Sequence, residues 1–151
     1  MNKPNTVVVD LDGTLANIDH RAHLVKKDAP EWDKFYSSCD KDTPNSWCVE
    51  LMRAMQTAGF TVIILSARRD TTLSKTKAWL RYHAIPHSQL ILLRKGNEST
   101  PDTVLKKAWL DSYGKENVLF VVDDRQKVVD AWRSNGVTCL QCYAWKEYDG
   151  K

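Results

Sequence analysis

Apolar positions along the chain follow two alternating rhythms. Short runs rich in Val, Ile and Leu occupy Thr6–Leu11, Thr61–Leu65, Gln89–Leu93, Val118–Val122 and Val137–Cys142, lengths that suit buried strands. Between them the apolar positions fall at helical spacing. Ser46–Ala58 carries Val49, Met52 and Met55 on one stripe and stops at Gly59. Thr72–His83 follows, then Pro101–Tyr113, with Pro101 in the first turn and Gly114 at the end, and Gln126–Asn135 closed by Gly136. Strand and helix alternating in this way predict an α/β fold: a three-layer open parallel sheet of about five strands with helices on both faces. Residues 17–45 fit neither rhythm. They read as a small insert after strand one, with Trp32, Phe35 and Tyr36 on a short helix, forming either a lid beside the site or a satellite cluster at the sheet edge.

Composition narrows the setting without naming an activity. The 151 residues suffice for one domain with a real core, 1–151. No apolar run approaches the roughly 20 residues of a membrane span, and Asp10 and Asp12 interrupt the only apolar stretch near the N-terminus. The expectation is therefore a cytoplasmic protein with no membrane partner. A net charge of +3 favours an anionic partner only weakly. The four cysteines fit reduced thiols better than a disulfide framework, and Cys139-x-x-Cys142, within a strand-like run, is read as core packing rather than zinc ligation. His20 and His23 lie near helical spacing but are set aside as metal ligands.

The polar positions that interrupt the apolar pattern fall where open parallel sheets bind ligands, at the carboxyl ends of strands. Strand one ends in Asp10-Leu11-Asp12-Gly13-Thr14, strand two in Ser66-Ala67-Arg68-Arg69, strand three in Arg94-Lys95 and strand four in Asp123-Asp124-Arg125. Strand alternation sends Asp10 and Asp12 the same way, and two neighbouring buried carboxylates call for a cation or a shared proton. Gly13 permits a sharp turn, and Thr14 adds a hydroxyl and a backbone N–H. Of the adjacent Asp123 and Asp124, one reaches a metal directly while the other acts through water or a neighbour. Several carboxylates with water and substrate oxygens describe a hard, octahedral Mg²⁺ site. Ser66 is placed to hold a phosphate oxygen, and Lys106 or Lys107 to neutralise nucleophile and phosphate. Together these residues predict metal-assisted phosphoryl chemistry with a carboxylate nucleophile.

D-x-D-G-T, a Ser after a second strand, a helical Lys and a terminal D-D resemble the four motifs of the haloacid dehalogenase-like phosphatase superfamily. More narrowly, the chain is similar to the phage-type polynucleotide kinase 3′-phosphatase domain. That similarity runs through Asp10–Thr14 with Arg21, Ser66-Ala67-Arg68, Arg94, Asp102-Thr103-Val104-Leu105-Lys106, Val122–Arg125 and the closing stretch from Val128 to Cys139, covering roughly Val7 to Cys142. The resemblance implies a Rossmann-like sheet without a large cap. It assigns Asp10 as nucleophile and Asp12 as general acid, then base, and it favours Lys106 over Lys107. It places Mg²⁺ on Asp10, the main-chain carbonyl of Asp12, and Asp123 or Asp124. Arg21, Arg68 and Arg94, with Thr14, Ser66 and Lys106, become the substrate-binding candidates.

The expected reaction is removal of 3′-phosphates from nucleic-acid ends or nucleotides. The alternatives are a phosphatase for nucleoside monophosphates or other small esters, and a non-catalytic binding module. No G-x-x-x-x-G-K-[ST] motif occurs, so the kinase half is not in this sequence and a separate kinase or ligase is the expected partner.

Overall fold

The computed structural model describes residues 3–26 and 28–145. Its centre is a parallel sheet of five strands. β1 (Thr6–Val9) lies in the middle, flanked by β4 (Thr61–Arg69) and β6 (Val118–Asp123), with β5 (Gln89–Arg94) and β7 (Cys139–Gln141) at the edges. All four pairings are parallel. Each crossover carries a helix: α3 (Ser46–Thr57), α4 (Leu73–Tyr82), α5 (Asp102–Tyr113) and α6 (Gln126–Ser134).

The alternation of β1 sorts the core into two layers. Val7 and Val9 pack with Cys48 and Met52 of α3 and Trp79 and Leu80 of α4. Val8 faces the other way, onto Leu110 of α5 and Val128, Val129 and Trp132 of α6. Cys139 belongs to this second layer, and Cys142 is half-buried beside it in sequence; both are free thiols.

The strands differ from expectation at their ends. β1 stops at Val9 because Asp10 and Leu11 turn into a loop closed by Thr14 N–H to the Leu11 carbonyl (3.2 Å) and Leu15 N–H to the Asp10 carbonyl (3.4 Å). β4 runs four residues beyond Leu65, to Arg69. Its pairing with β5 passes from Ser66 opposite Leu92 to Arg69 opposite Arg94, so one extra residue is bulged out of the ladder. Ser66 Oγ accepts the Arg68 N–H within that bulge (3.1 Å).

The insert leaves and returns through a two-stranded antiparallel stem, β2 (Ala16–Asn17) with β3 (Thr43–Pro44). Beyond the stem lie α1 (Asp19–Ala22) and α2 (Trp32–Ser37). Leu24, Val25, Phe35 and Tyr36 form a small core of their own, to which Ile18 adds. The satellite cluster therefore exists. Ile18, Val25, Phe35 and Tyr36 of this cluster also border the main cavity.

Candidate active site

One cavity of about 420 Å³ opens at the carboxyl edge of the sheet, lined by Asp10, Asp12, Ser66, Lys106, Asp123 and Asp124 among others. Asp10 arrives from the end of β1, and Asp123 and Asp124 from the end of β6. Parallel pairing of these strands, Val9 opposite Val122, makes that meeting unavoidable. Oxygens of Asp10, Asp123 and Asp124 all lie within 4.8 Å of one another. Lys106, on α5, bridges two of them: its Nζ is 3.0 Å from Asp10 Oδ1 and 2.8 Å from Asp123 Oδ2. Of the two lysines left open by spacing, Lys106 is the buried one, while Lys107 pairs with Asp111 on the outer face of the same helix.

Three buried carboxylates face one ammonium, and the surplus negative charge shows in their acidities. Burial, then the Asp123 charge, pushes the Asp10 carboxyl well above its ordinary range despite Lys106. Burial and Asp123 likewise raise Asp124, to about 6. Burial opposes ionisation of Asp123 as well, yet Lys106 and the Asp124 N–H (2.8 Å) bring its carboxyl down. Lys106 is raised in spite of burial, because Asp10 and Asp123 both hold its charge. An all-oxygen donor set with uncompensated charge fits a hard divalent cation. Asp10, Asp123 and Asp124 are the side chains that would hold it.

The remaining contacts fix these carboxylates. Thr14 Oγ1 lies 3.3 Å from both Asp10 Oδ2 and Asp124 Oδ1, so its hydroxyl sits between two acids. The indole N–H of Trp132 donates to Asp123 Oδ2 (3.3 Å), and that of Trp145 to Asp124 Oδ2 (2.6 Å). Gly13 has φ +83°, and a Cβ there would overlap the Asp124 carboxylate. Glycine is thus favoured both by backbone conformation and by the close approach of the Asp124 side chain.

Asp12 occupies a different environment in the same cavity. Its Oδ1 accepts from Arg21 Nη2 (2.6 Å) and from Arg68 Nη2 (2.7 Å) and Nε (3.0 Å). Burial disfavours its charge, but Arg68 and then Arg21 outweigh this and hold the carboxyl well below the usual range. Asp42, next to the stem strand β3, completes the clamp. It accepts from Arg21 Nε (2.8 Å) and Nη2 (2.7 Å), from Arg68 Nη2 (3.2 Å), and pairs with His20 (2.6 Å). Arg68 also donates to Thr76 Oγ1 (2.9 Å).

The arginines named from sequence thus divide. Arg68 borders the cavity. Arg21, expected on the substrate, lies fully buried behind Asp12, between Asp42 and the Phe35 ring. Arg94 borders the cavity but spends its donors on Ala67, Glu98 and Thr100 carbonyls and on Asp102 Oδ1 (2.8 Å), tying down the loop before α5. Thr14 touches the acids rather than the cavity wall.

Asp42 lies outside every motif of the sequence, and Asp102, within the motif that carries Lys106, has no role of its own there. Asp102 Oδ1 and Oδ2 hold Arg94 and Arg125 (2.6 Å). Charge balance was the available signal: buried guanidiniums at Arg21 and Arg68 need more than the single carboxylate of Asp12. His20 pairs with Asp42, and His23 is exposed.

Comparison with known proteins agrees with this geometry. A family model described as the polynucleotide kinase PNKP phosphatase domain matches residues 4–145. A putative bifunctional polynucleotide kinase/RNA ligase of Autographa californica nuclear polyhedrosis virus is 26% identical over 132 residues, which are 86% of this chain but 18% of the viral protein. A chain from the structure of a Pnkp1/Rnl/Hen1 complex superposes with a TM-score of 0.81 at 28% identity, over 95% of this chain and 47% of that one. A putative phosphatase from Clostridium difficile shares the fold, with a TM-score of 0.67 at 12% identity, over 93% of this chain and 86% of its own. This chain therefore spans less than half the length of the first two relatives. It belongs to the polynucleotide kinase PNKP phosphatase domain family, within the haloacid dehalogenase-like phosphatases.

Proposed function

We propose that the chain is a Mg²⁺-dependent phosphomonoesterase that works through an aspartyl-phosphate on Asp10 and acts on 3′-phosphates of nucleic-acid ends. The observation that carries this reading is the convergence, in one cavity, of an acid cluster held by Lys106 with a second carboxylate, Asp12, held by arginines. Mg²⁺, when bound, would neutralise Asp10, Asp123 and Asp124 and withdraw charge from the phosphoryl oxygens. Lys106 and the Ser66 hydroxyl are the protein groups placed for those same oxygens.

An oxygen of Asp10 forms the new bond to phosphorus as the bond to the sugar oxygen breaks, and Asp12 supplies the proton that oxygen needs to leave. Asp12 then takes a proton from water as the water oxygen attacks phosphorus. Inorganic phosphate departs and Asp10 is regenerated. The arginine clamp suits the second half directly, because it keeps Asp12 ionised. In the first half, a phosphate dianion competes for Arg68 at the cavity wall. That weakens the clamp and lets Asp12 carry a proton.

Polynucleotide ends are favoured by the family match and by relatives described as a polynucleotide kinase/RNA ligase and as a Pnkp1/Rnl/Hen1 complex. A separate kinase or ligase would complete such a repair sequence, and residues 17–45 would act as a small cap. The test is Mg²⁺-dependent phosphate release from a 3′-phosphorylated oligonucleotide, its 5′-phosphorylated counterpart, and 3′- and 5′-mononucleotides, each with Asp10→Asn as control. Release from the 3′-oligonucleotide alone, lost in the control, is the expected result. Preference for mononucleotides would keep the chemistry and move the substrate class to small esters.

A further inference from the structure

Phosphoryl chemistry needs charge and hydrogen bonds, yet one wall of the cavity is aromatic. Trp32 opens α2 and is 36% exposed, while the rings behind it, Phe35 and Tyr36, are buried. Its ring stacks on Tyr36 (6.0 Å between centroids, 25° between planes) and meets Phe35 edge-on (5.8 Å, 87°). Cations back both inner rings: the Arg69 guanidinium lies 4.9 Å from the Tyr36 centroid, and that of Arg21, which also clamps Asp12, lies 4.3 Å from the Phe35 centroid. The part of Trp32 left uncovered borders the same cavity as Asp10 and Asp12.

The other margins of the cavity are of a different kind. Ser99, Thr100 and Thr103 are among its lining residues, and Lys26, whose Nζ lies 5.2 Å from the Trp145 ring centroid, and Lys127 bring positive charge to the same lining. A simple phosphate ester would gain nothing from a large apolar ring on a fixed aromatic base. A nucleotide would, because every base offers a planar face for stacking, polar edges for hydrogen bonds and a phosphate backbone for cations.

Resting on the 3′-end reading, we propose that Trp32 is the stacking platform for the nucleobase of the phosphate-bearing nucleotide, with Lys26 and Lys127 attracting the strand behind it. The occupant is a single-stranded polynucleotide end, whose unpaired terminal base is free to turn its face onto the ring. Trp32 then acts as a specificity residue, separating nucleic-acid ends from other phosphate esters at the step of binding.

The experiment compares two 3′-phosphorylated single strands that differ only in whether the terminal nucleotide carries its base or is abasic. Wild type, Trp32→Ala and Trp32→Phe are assayed on both. The wild type is expected to favour the base-bearing strand in kcat/KM by on the order of tenfold, as one stacked base contributes. The preference resides in KM, is erased in Trp32→Ala and largely kept in Trp32→Phe. In parallel, binding of the base-bearing strand to Asp10→Asn should quench tryptophan fluorescence, and the Asp10→Asn/Trp32→Phe double variant should lose most of that quenching. An equal base-to-abasic ratio in wild type and Trp32→Ala, or undiminished quenching in the double variant, overturns the platform. Release of phosphate from neither strand by the wild type overturns the 3′-end reading instead, and quenching then decides the platform by itself.

Discussion

Asp10 and Asp12 are two residues apart, border one cavity, and sit in opposite electrostatic states. Around Asp10, burial and then the charges of Asp123 and Asp124 outweigh a single Lys106, so its carboxyl rises. Around Asp12 they are Arg68 and Arg21, so its carboxyl falls. Two environments that push neighbouring acids apart allow one motif to supply two chemical roles. The acid cluster carries more negative charge than Lys106 balances. In the clamp, Asp42 completes the charge balance.

The most severe way to break this comparison is to neutralise Asp10. Asp10→Asn should lower phosphate release by on the order of 10³-fold or more in steady-state assays, the loss that the proposed nucleophilic role of Asp10 predicts. Its metal-free thermal midpoint should not fall, since a crowded charge is removed. Asp42→Ala strikes the other region: two buried guanidiniums are left to share Asp12, and breaking a buried pair of this kind costs about 3–5 kcal/mol. Urea unfolding should show that loss, and activity should fall with it as Asp12 loses its position.

A milder probe is pH. The folded Asp124 carboxyl sits at about 6, above an unfolded value of roughly 3.9. The folded chain therefore binds this proton more tightly, and the resulting stability is present at low pH and lost as pH rises through about 6. Asp124→Asn should consequently raise the metal-free unfolding midpoint at pH 8, with the gain shrinking as pH is lowered through 6. Asp12 gives the opposite sign: its lowered carboxyl stabilises above the unfolded value, and that contribution is lost on acidification.

The smallest expected effect concerns the thiols. Burial pushes Cys139 up to about 12 and Cys142 to about 11, so both are neutral at pH 8 and should react with a thiol reagent far more slowly in the native chain than in the unfolded one.

Much of this was legible in the sequence because it rests on local pattern. Three valines before Asp10 fix a buried central strand, and Leu119–Val122 before Asp123 fix its parallel neighbour, so the two acidic motifs must meet. The helices at 46–57, 73–82, 102–113 and 126–134 lie within a residue or two of their apolar stripes. Relations between distant side chains were not legible. That Arg21 and Arg68 share a partner, Asp42, appears only when the stem of the insert brings Asp42 back to them. The bulge that aims Arg68 depends on the pairing of β4 with β5, which no single run of residues encodes. Trp145 is likewise an unremarked aromatic in sequence, and only the fold brings its indole to Asp124.

The division of labour between the two acids can be tested most directly by trapping the intermediate. The chain would be mixed with a 3′-phosphorylated oligonucleotide and Mg²⁺, quenched during turnover, and treated with borohydride, which reduces an acyl phosphate to the alcohol. Peptide mass analysis should then find homoserine at position 10 and intact aspartate at position 12. Homoserine at position 12, or phosphate release with no reducible intermediate at either residue, would contradict the assignment of Asp10 as nucleophile and Asp12 as its proton-handling partner.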